Sequence, residues 1–154
     1  MNHHDTNKRP QVAVIILNWN GEKLLREFLP EVIATTDPTI ARVIVADNGS
    51  TDGSRRLLES EFADVEHIYF DTNHGFAGGY NLAIDLTDYR YTVLLNSDVA
   101  TSAGWINTLY RFMEDHPDVG ACQPKLLSFN DTQKFESTGC TGIFKFLSTT
   151  LLPP

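Results

Sequence analysis

Residues Tyr91 to Trp105 read YTVLLNSDVATSAGW, a strand-favouring run that stops at Asn96-Ser97-Asp98. An apolar run without alternation is the pattern of a strand covered on both faces, as in parallel sheets. A carboxylate at the mouth of such a strand is costly to desolvate unless it is paired or binds a metal. The same arrangement recurs upstream. VAVIIL, Val12 to Leu17, runs into Asn18-Trp19-Asn20-Gly21. RVIVA, Arg42 to Ala46, runs into Asp47-Asn48-Gly49-Ser50-Thr51-Asp52-Gly53-Ser54. EHIYF, Glu66 to Phe70, runs into a loop from Asp71 to Asn81 that holds Asn73, His74 and Gly75. VGACQ, Val119 to Gln123, reads as a fifth strand.

Helical spacing fills the gaps. Leu24, Leu25, Phe28, Leu29, Val32 and Ile33 recur every three to four residues. Pro30 within them predicts a kink or two short helices. Thr51 or Asp52 is placed to cap a second helix striped by Leu57, Leu58 and Phe62. Phe76, Tyr80, Leu82, Ala83 and Ile84 predict a third, weakened at its start by Gly78-Gly79. Ile106, Leu109, Tyr110 and Met113 predict a fourth, from near Ser102 to before Pro117. Alternating strand and helix give an α/β fold with a mostly parallel sheet and right-handed crossovers. The expected division is a flexible tail over 1–10, one domain over 11–135 and an atypical tail over 136–154. Ligands of such sheets bind beyond the carboxyl ends of the strands.

The chain has 154 residues, 42% of them hydrophobic, which suits one domain with a real core. Its formal net charge of −8, from 20 acidic and 12 basic residues, argues against nucleic acid as a partner. No apolar run approaches the roughly 20 residues of a membrane span. The N-terminal MNHHDTNKRP lacks the apolar core of a signal peptide, so the expected compartment is the cytoplasm. Cys122 and Cys140 lack metal-type spacing and read as small buried hydrophobes or stray thiols. The dinucleotide fingerprint GxGxxG and the phosphate loop GxxxxGK[ST] are both absent after the first strand. That disfavours a nicotinamide dehydrogenase and a P-loop NTPase.

Asn, Asp, Gly and Ser form turns wherever a loop needs one. Four such loops at one sheet edge, three with an Asp at or just past the strand, point beyond turn formation. Asp47 suits a ribose hydroxyl or a base N–H, because a carboxylate accepts hydrogen bonds. Asp98 suits a hard divalent cation, Mg²⁺ or Mn²⁺, of the kind held by one or two carboxylates plus substrate phosphates. Such a cation offsets the charge that develops on a diphosphate leaving group. The competing reading of Asp98 is a helix cap or an Asx-turn. His74 is either a phosphate contact or an exposed loop residue. Trp105 and Phe112 read as core, and Arg55-Arg56 as a solvated helix face.

Four stretches, VAVIILNWNG, RVIVADNGSTDGS, NHGFAGGYN and YTVLLNSDV, resemble family 2 glycosyltransferases with the GT-A fold, in that order and spacing. Gly-Gly-Tyr-Asn, where many relatives carry Ala-Arg-Asn, resembles the rhamnosyl- and galactofuranosyltransferase branch. The resemblance implies transfer of a sugar, with inversion, from a UDP- or dTDP-linked donor to a glycan or lipid-linked acceptor. It places Asp47 at the base or ribose, and Asn18 and Trp19 along the base pocket. It places Asn73, Gly75 and Asn81 near the ribose and diphosphate. Asn96-Ser97-Asp98 stands where the family has its DxD-type motif, so Asp98 becomes the main metal carboxylate and Asn96 a neutral ligand at best. The family's catalytic base, an Asp or Glu well downstream, is expected beyond residue 154, and the chain alone is expected to be inactive.

Two rivals follow from the same residues. One is a non-catalytic α/β module that binds a nucleotide or a protein. The other is a nucleotidyltransferase, disfavoured because no Gly-rich, Arg/Lys-bearing loop follows the first strand. Homodimerisation and peripheral association with a membrane stay open at this stage.

Overall fold

Four of the five expected runs become strands: β1 Val12–Asn18, β2 Ala41–Asn48, β3 Glu66–Phe70 and β4 Tyr91–Leu95. Between and after them lie α1 Glu22–Thr35, α2 Ser54–Glu61, α3 Gly75–Asp85 and α4 Trp105–Asp115. The computed structural model describes residues 9–124, 126–127 and 135–137. The chain divides into two compact units, Met1–Ile106 and Asn107–Pro154.

In the first unit the strands form one parallel sheet in the order β3-β2-β1-β4. Register sets the faces. Ala13 and Ile15 of β1 and Ile44 and Ala46 of β2 pack with Tyr80 and Ala83 of α3. Leu17, Ile68 and Phe70 close against this cluster. The opposite face carries Asn18, Asp47 and Tyr69, aligned across the C-terminal ends of β1, β2 and β3. β1 and β2 are buried along nearly their whole length, as continuous apolar runs require.

Chain direction reverses beside β1. From β1 the chain steps outward to β2 and β3, then returns to β4 on the other side. This is a topological switch point, where the loops after β1 and β4 diverge and leave a crevice.

Three expectations need correction. Pro30 lies inside α1, which runs unbroken from Glu22 to Thr35 rather than as two short helices. Burial of Leu25, Phe28, Leu29 and Val32 holds that helix despite the lost N–H. β4 is not buried on both faces: Thr92 and Leu94 face outward and Leu94 is 52% exposed. Among the described residues β4 pairs only with β1, which makes it an edge strand. VGACQ forms no strand beyond a single β-bridge residue, Val119, which is buried, while Gly120 to Gln123 are exposed. In the second unit Leu126–Leu127 (β5) pairs antiparallel with Phe135–Ser137 (β6) instead.

Gly78-Gly79 do not delay α3, which begins at Gly75. A Cβ at Gly79 would lie 2.8 Å from Leu17 Cδ1 and 2.9 Å from Asn48 Nδ2. The missing side chain lets α3 press against the ends of β1 and β2.

Candidate functional site

The loops after β1 and β2 are wired together by side chains. Asn18 and Asp47 face each other in register, both buried, with Asp47 3% exposed. Asn18 Nδ2 donates to Asp47 Oδ2 at 2.9 Å and to Ser50 Oγ at 3.1 Å. Asp47 Oδ1 accepts the Ser50 backbone N–H at 3.0 Å. Each carboxylate oxygen therefore keeps one internal partner and spare acceptor capacity. Asn18 Oδ1 is buried without a partner, and a Cβ on Gly21 would run into it. It is a ready acceptor at the strand end, the kind of group that normally has a partner when buried.

Asn20 locks the outer layer. It adopts φ +52°, the left-handed region that Asn tolerates better than most residues. Its N–H donates to Ser50 Oγ at 2.9 Å, and its Oδ1 accepts the Thr51 N–H at 2.7 Å. Asp52 then joins two helix starts. One oxygen accepts Glu22 N–H of α1 at 3.1 Å and the other accepts Ser54 N–H of α2 at 2.9 Å. Burial acts to raise the Asp52 pKa, yet hydrogen bonds from Ser54 and from the Glu22 N–H hold it below the usual value. A carboxylate at two helix N-termini also meets two favourable dipole ends.

Asn48 performs the same wiring on the α3 face. Its Nδ2 donates to Asn73 Oδ1 and to the Gly75 carbonyl, each at 3.0 Å, and its Oδ1 accepts the His74 N–H at 2.9 Å. Asn73 Oδ1 also accepts the Gly75 N–H at 2.7 Å. Gly49 makes the close approach feasible. It sits at φ +72°, and a Cβ there would lie 2.6 Å from the Thr72 carbonyl carbon.

Trp19 stands at the crevice with 58% of its surface exposed, an aromatic face next to Asn18. Beside Asp47 on the outer strand, Tyr69 lies under the Arg55 guanidinium at 4.2 Å. Burial raises the Tyr69 pKa, with Glu59 and Asp47 adding and Arg55 opposing. Arg55, read as part of a solvated face, is thus committed to Tyr69 and to Glu59 at 3.2 Å.

The loop after β4 is different. Asn96 and Asp98 are exposed, so the desolvation cost that first drew attention to Asp98 does not apply. Among the described residues neither side chain has a hydrogen-bond or ion-pair partner, so Asp98 is not seen capping α4. The donor set there is one carboxylate and one amide oxygen. Hard oxygen ligands suit Mg²⁺ or Mn²⁺, and two of them suit a cation that arrives with phosphate oxygens. No group of three or more His, Cys, Asp or Glu side chains fit to cage a metal occurs among the described residues.

The expected residues therefore fall into three groups. Asn18, Trp19 and Asp47 gather after β1 and β2. Asn73 and Gly75 gather with Asn48. Asn96 and Asp98 lie after β4. Asn81 sits exposed on α3, and no hydrogen bond joins it to these groups. The expected helix cap at Asp52 is found on the Ser54 N–H, whereas sequence reasoning missed Asn20, Asn48 and Ser50, and the bond from Asp52 across to Glu22, as connections. His74 is exposed and contributes its backbone N–H. Cys122 is an exposed free thiol, whereas Cys140 lies outside the described residues. No described helix is long and apolar enough to cross a membrane.

Comparison with known proteins agrees with this geometry. GlyA, a glycosyltransferase of Streptococcus pneumoniae, is 27% identical over 127 residues, 80% of this chain and 18% of that protein. The low-salt glycan biosynthesis hexosyltransferase of Haloferax volcanii is 25% identical over 146 residues, 92% of this chain and 45% of that protein. The chain thus spans less than half the length of these relatives. In fold it is similar to TarS of S. aureus in complex with UDP-GlcNAc, with TM-score 0.62 and 22% identity over 76% of this chain and 38% of that one. It is similar also to a mannosyltransferase of Pyrobaculum calidifontis in complex with GDP-Man and Mn²⁺, with TM-score 0.63 and 24% identity over 84% of this chain and 39% of that one. The pattern of glycosyl transferase family 2 matches residues 13–150, and the chain belongs to that family.

Proposed function

We propose that this chain forms the donor-binding part of an inverting glycosyltransferase. The observation that carries the reading is the pairing, on either side of β1, of a buried polar network and an exposed metal-type segment. Asn18, Asp47 and Ser50 form the first, and Asn96-Ser97-Asp98 the second. A nucleoside diphosphate sugar spans such a crevice, with its base at the β1/β2 ends and its diphosphate toward β4.

Each role follows from chemistry already described. Asp47 keeps acceptor capacity for a base N–H or a ribose hydroxyl. Trp19 offers its ring as a platform for the base. Asn73 and Gly75, held by Asn48, line the ribose side, and Asn81 lies farther along α3. Asp98, with Asn96 beside it, would hold Mg²⁺ or Mn²⁺ together with the diphosphate oxygens. The cation, when bound, supplies Lewis-acid stabilisation of the leaving diphosphate. Relatives in complex with UDP-GlcNAc and with GDP-Man and Mn²⁺ support a nucleotide-sugar donor and a divalent ion. We assign the donor as UDP- or dTDP-linked, the acceptor as a glycan or lipid-linked glycan, and the branch as rhamnosyl- or galactofuranosyltransferase-like on Gly78-Gly79-Tyr80-Asn81.

Calorimetric titration with UDP, dTDP and GDP, with and without Mn²⁺, tests this on the wild type and on Asp98→Ala. The expected outcome is binding that Mn²⁺ strengthens and that Asp98→Ala reduces to its metal-free level. A cooperatively melting protein that binds none of the three nucleotides would overturn the reading in favour of a non-catalytic interaction module.

A further inference from the structure

Tyr80 is 3% exposed, yet its hydroxyl is not left idle. It donates at 2.9 Å to the carbonyl of Leu95, the last residue of β4. The next residue is Asn96, where the segment Asn96-Ser97-Asp98 begins. The contact crosses the fold: the ring packs with residues of β1 and β2, and the hydroxyl bonds the end of β4. Its ring is fixed by the cluster of Ala13, Ile15, Ile44, Ala46 and Ala83, and by Phe76 edge-on at 5.0 Å. Gly79, beside it, lets the helix come close enough for that reach.

A core position needs only the ring, which Phe supplies equally well. The hydroxyl adds a desolvation cost that its hydrogen bond offsets. The Asp98 charge is felt at the same oxygen: burial raises the Tyr80 pKa, the Leu17 backbone lowers it, and Asp98 adds a smaller upward push. We infer that Tyr80 is a positioning residue: by holding the Leu95 carbonyl it aims Asn96 and Asp98 at the cation of the donor complex. This rests on the donor-site reading above. Groups that orient metal ligands through one intermediate commonly change metal affinity by about 10- to 100-fold when removed.

The test uses the full chain, UDP as nucleotide and Mn²⁺ as metal. Three quantities are measured for the wild type and Tyr80→Phe: the Mn²⁺ midpoint at saturating UDP, the UDP affinity in EDTA, and the melting temperature. Tyr80→Phe should raise the Mn²⁺ midpoint about tenfold, with metal-free UDP affinity unchanged. A general loosening of the fold would instead weaken UDP binding in EDTA as well, and that result overturns the inference. A second variant carries 3-fluorotyrosine at position 80, which keeps the ring and makes the hydroxyl a better donor. Its Mn²⁺ midpoint should move the opposite way from that of Tyr80→Phe. A midpoint that stays put in both variants, or rises in both, overturns the inference while leaving the donor site standing. If wild type binds UDP without any response to Mn²⁺, the metal reading of Asp98 and this inference fall together.

Discussion

β2 and β4 are the two neighbours of β1, and each carries an aspartate at or just past its C-terminal end. The two carboxylates live in opposite surroundings. Asp47 is buried, with both oxygens engaged by Asn18 and Ser50. Asp98 is exposed and has no hydrogen-bond partner among the described residues. The difference follows from the sheet. β2 is flanked by β1 and β3 and its end is covered by the Asn20–Thr51 loop contact, whereas β4 is an edge among the described residues. A wired carboxylate recognises a ligand with a fixed geometry at a cost in stability if lost. An unwired one is free to take a cation with the incoming ligand.

The largest expected effect on stability is at Asp47. Asp47→Ala leaves one N–H of the buried Asn18 amide and the part-buried Ser50 N–H without their acceptor, which should cost roughly 3 kcal/mol. Urea unfolding would show it as a lower midpoint at unchanged slope. A loss below about 0.5 kcal/mol, the range of ordinary surface changes, would mean that Asp47 is no better wired than Asp98, and the contrast would be lost.

Gly79→Ala comes next. The new Cβ meets Leu17 and Asn48 at under 3 Å, so α3 or the Asn48 clamp must shift. Overpacking of this sort costs about 1–3 kcal/mol. Because Asn48 holds Asn73 and Gly75, the same change should weaken nucleotide binding more than Mn²⁺ dependence. Titration with UDP at fixed Mn²⁺ checks this.

Asp52 sharpens the comparison through pH. Its folded pKa lies below that of an ordinary aspartate. Its stabilisation is therefore present above the unfolded pKa and is lost as pH falls through the folded value. Wild type should exceed Asp52→Asn in stability near neutrality, and the gap should close on acidification below about pH 4. The group is largely exposed, so the effect is small and high salt should shrink it. A gap that is independent of pH would assign the role to shape rather than charge.

Much of this architecture was legible beforehand. VAVIIL, RVIVA, EHIYF and YTVLL stand out because β-branched and apolar runs have no other economical use in a chain of this composition. The third and fourth keep the same bounds in the structure. What the runs hide is position in the sheet: YTVLL looks as buried as VAVIIL, yet one is an edge and the other central. The wiring was illegible for a different reason. Asp52 was legible as the cap of α2, but Asn20, Asn48 and Ser50 are ordinary turn formers, and only the register of β1 against β2 tells which of them meet. Asn20 offered one clue, since an Asn one residue before a Gly after a strand suits a left-handed turn. Tyr80 offered none, because a tyrosine on a helix stripe reads as core.

The smallest expected effect on stability is the most informative. Asp98→Ala removes an exposed side chain with no hydrogen-bond partner, so unfolding should move by no more than about 0.5 kcal/mol. The same change should abolish the Mn²⁺ dependence of nucleotide binding, since Asn96 is a weak ligand by itself. Stability and binding thus separate at Asp98 and coincide at Asp47. If Asp98→Ala lowers the melting temperature as much as Asp47→Ala does, the β4 end is a structural joint rather than an open site. If it leaves both stability and Mn²⁺ dependence intact, the cation is held elsewhere and the contrast between the two carboxylates concerns burial alone.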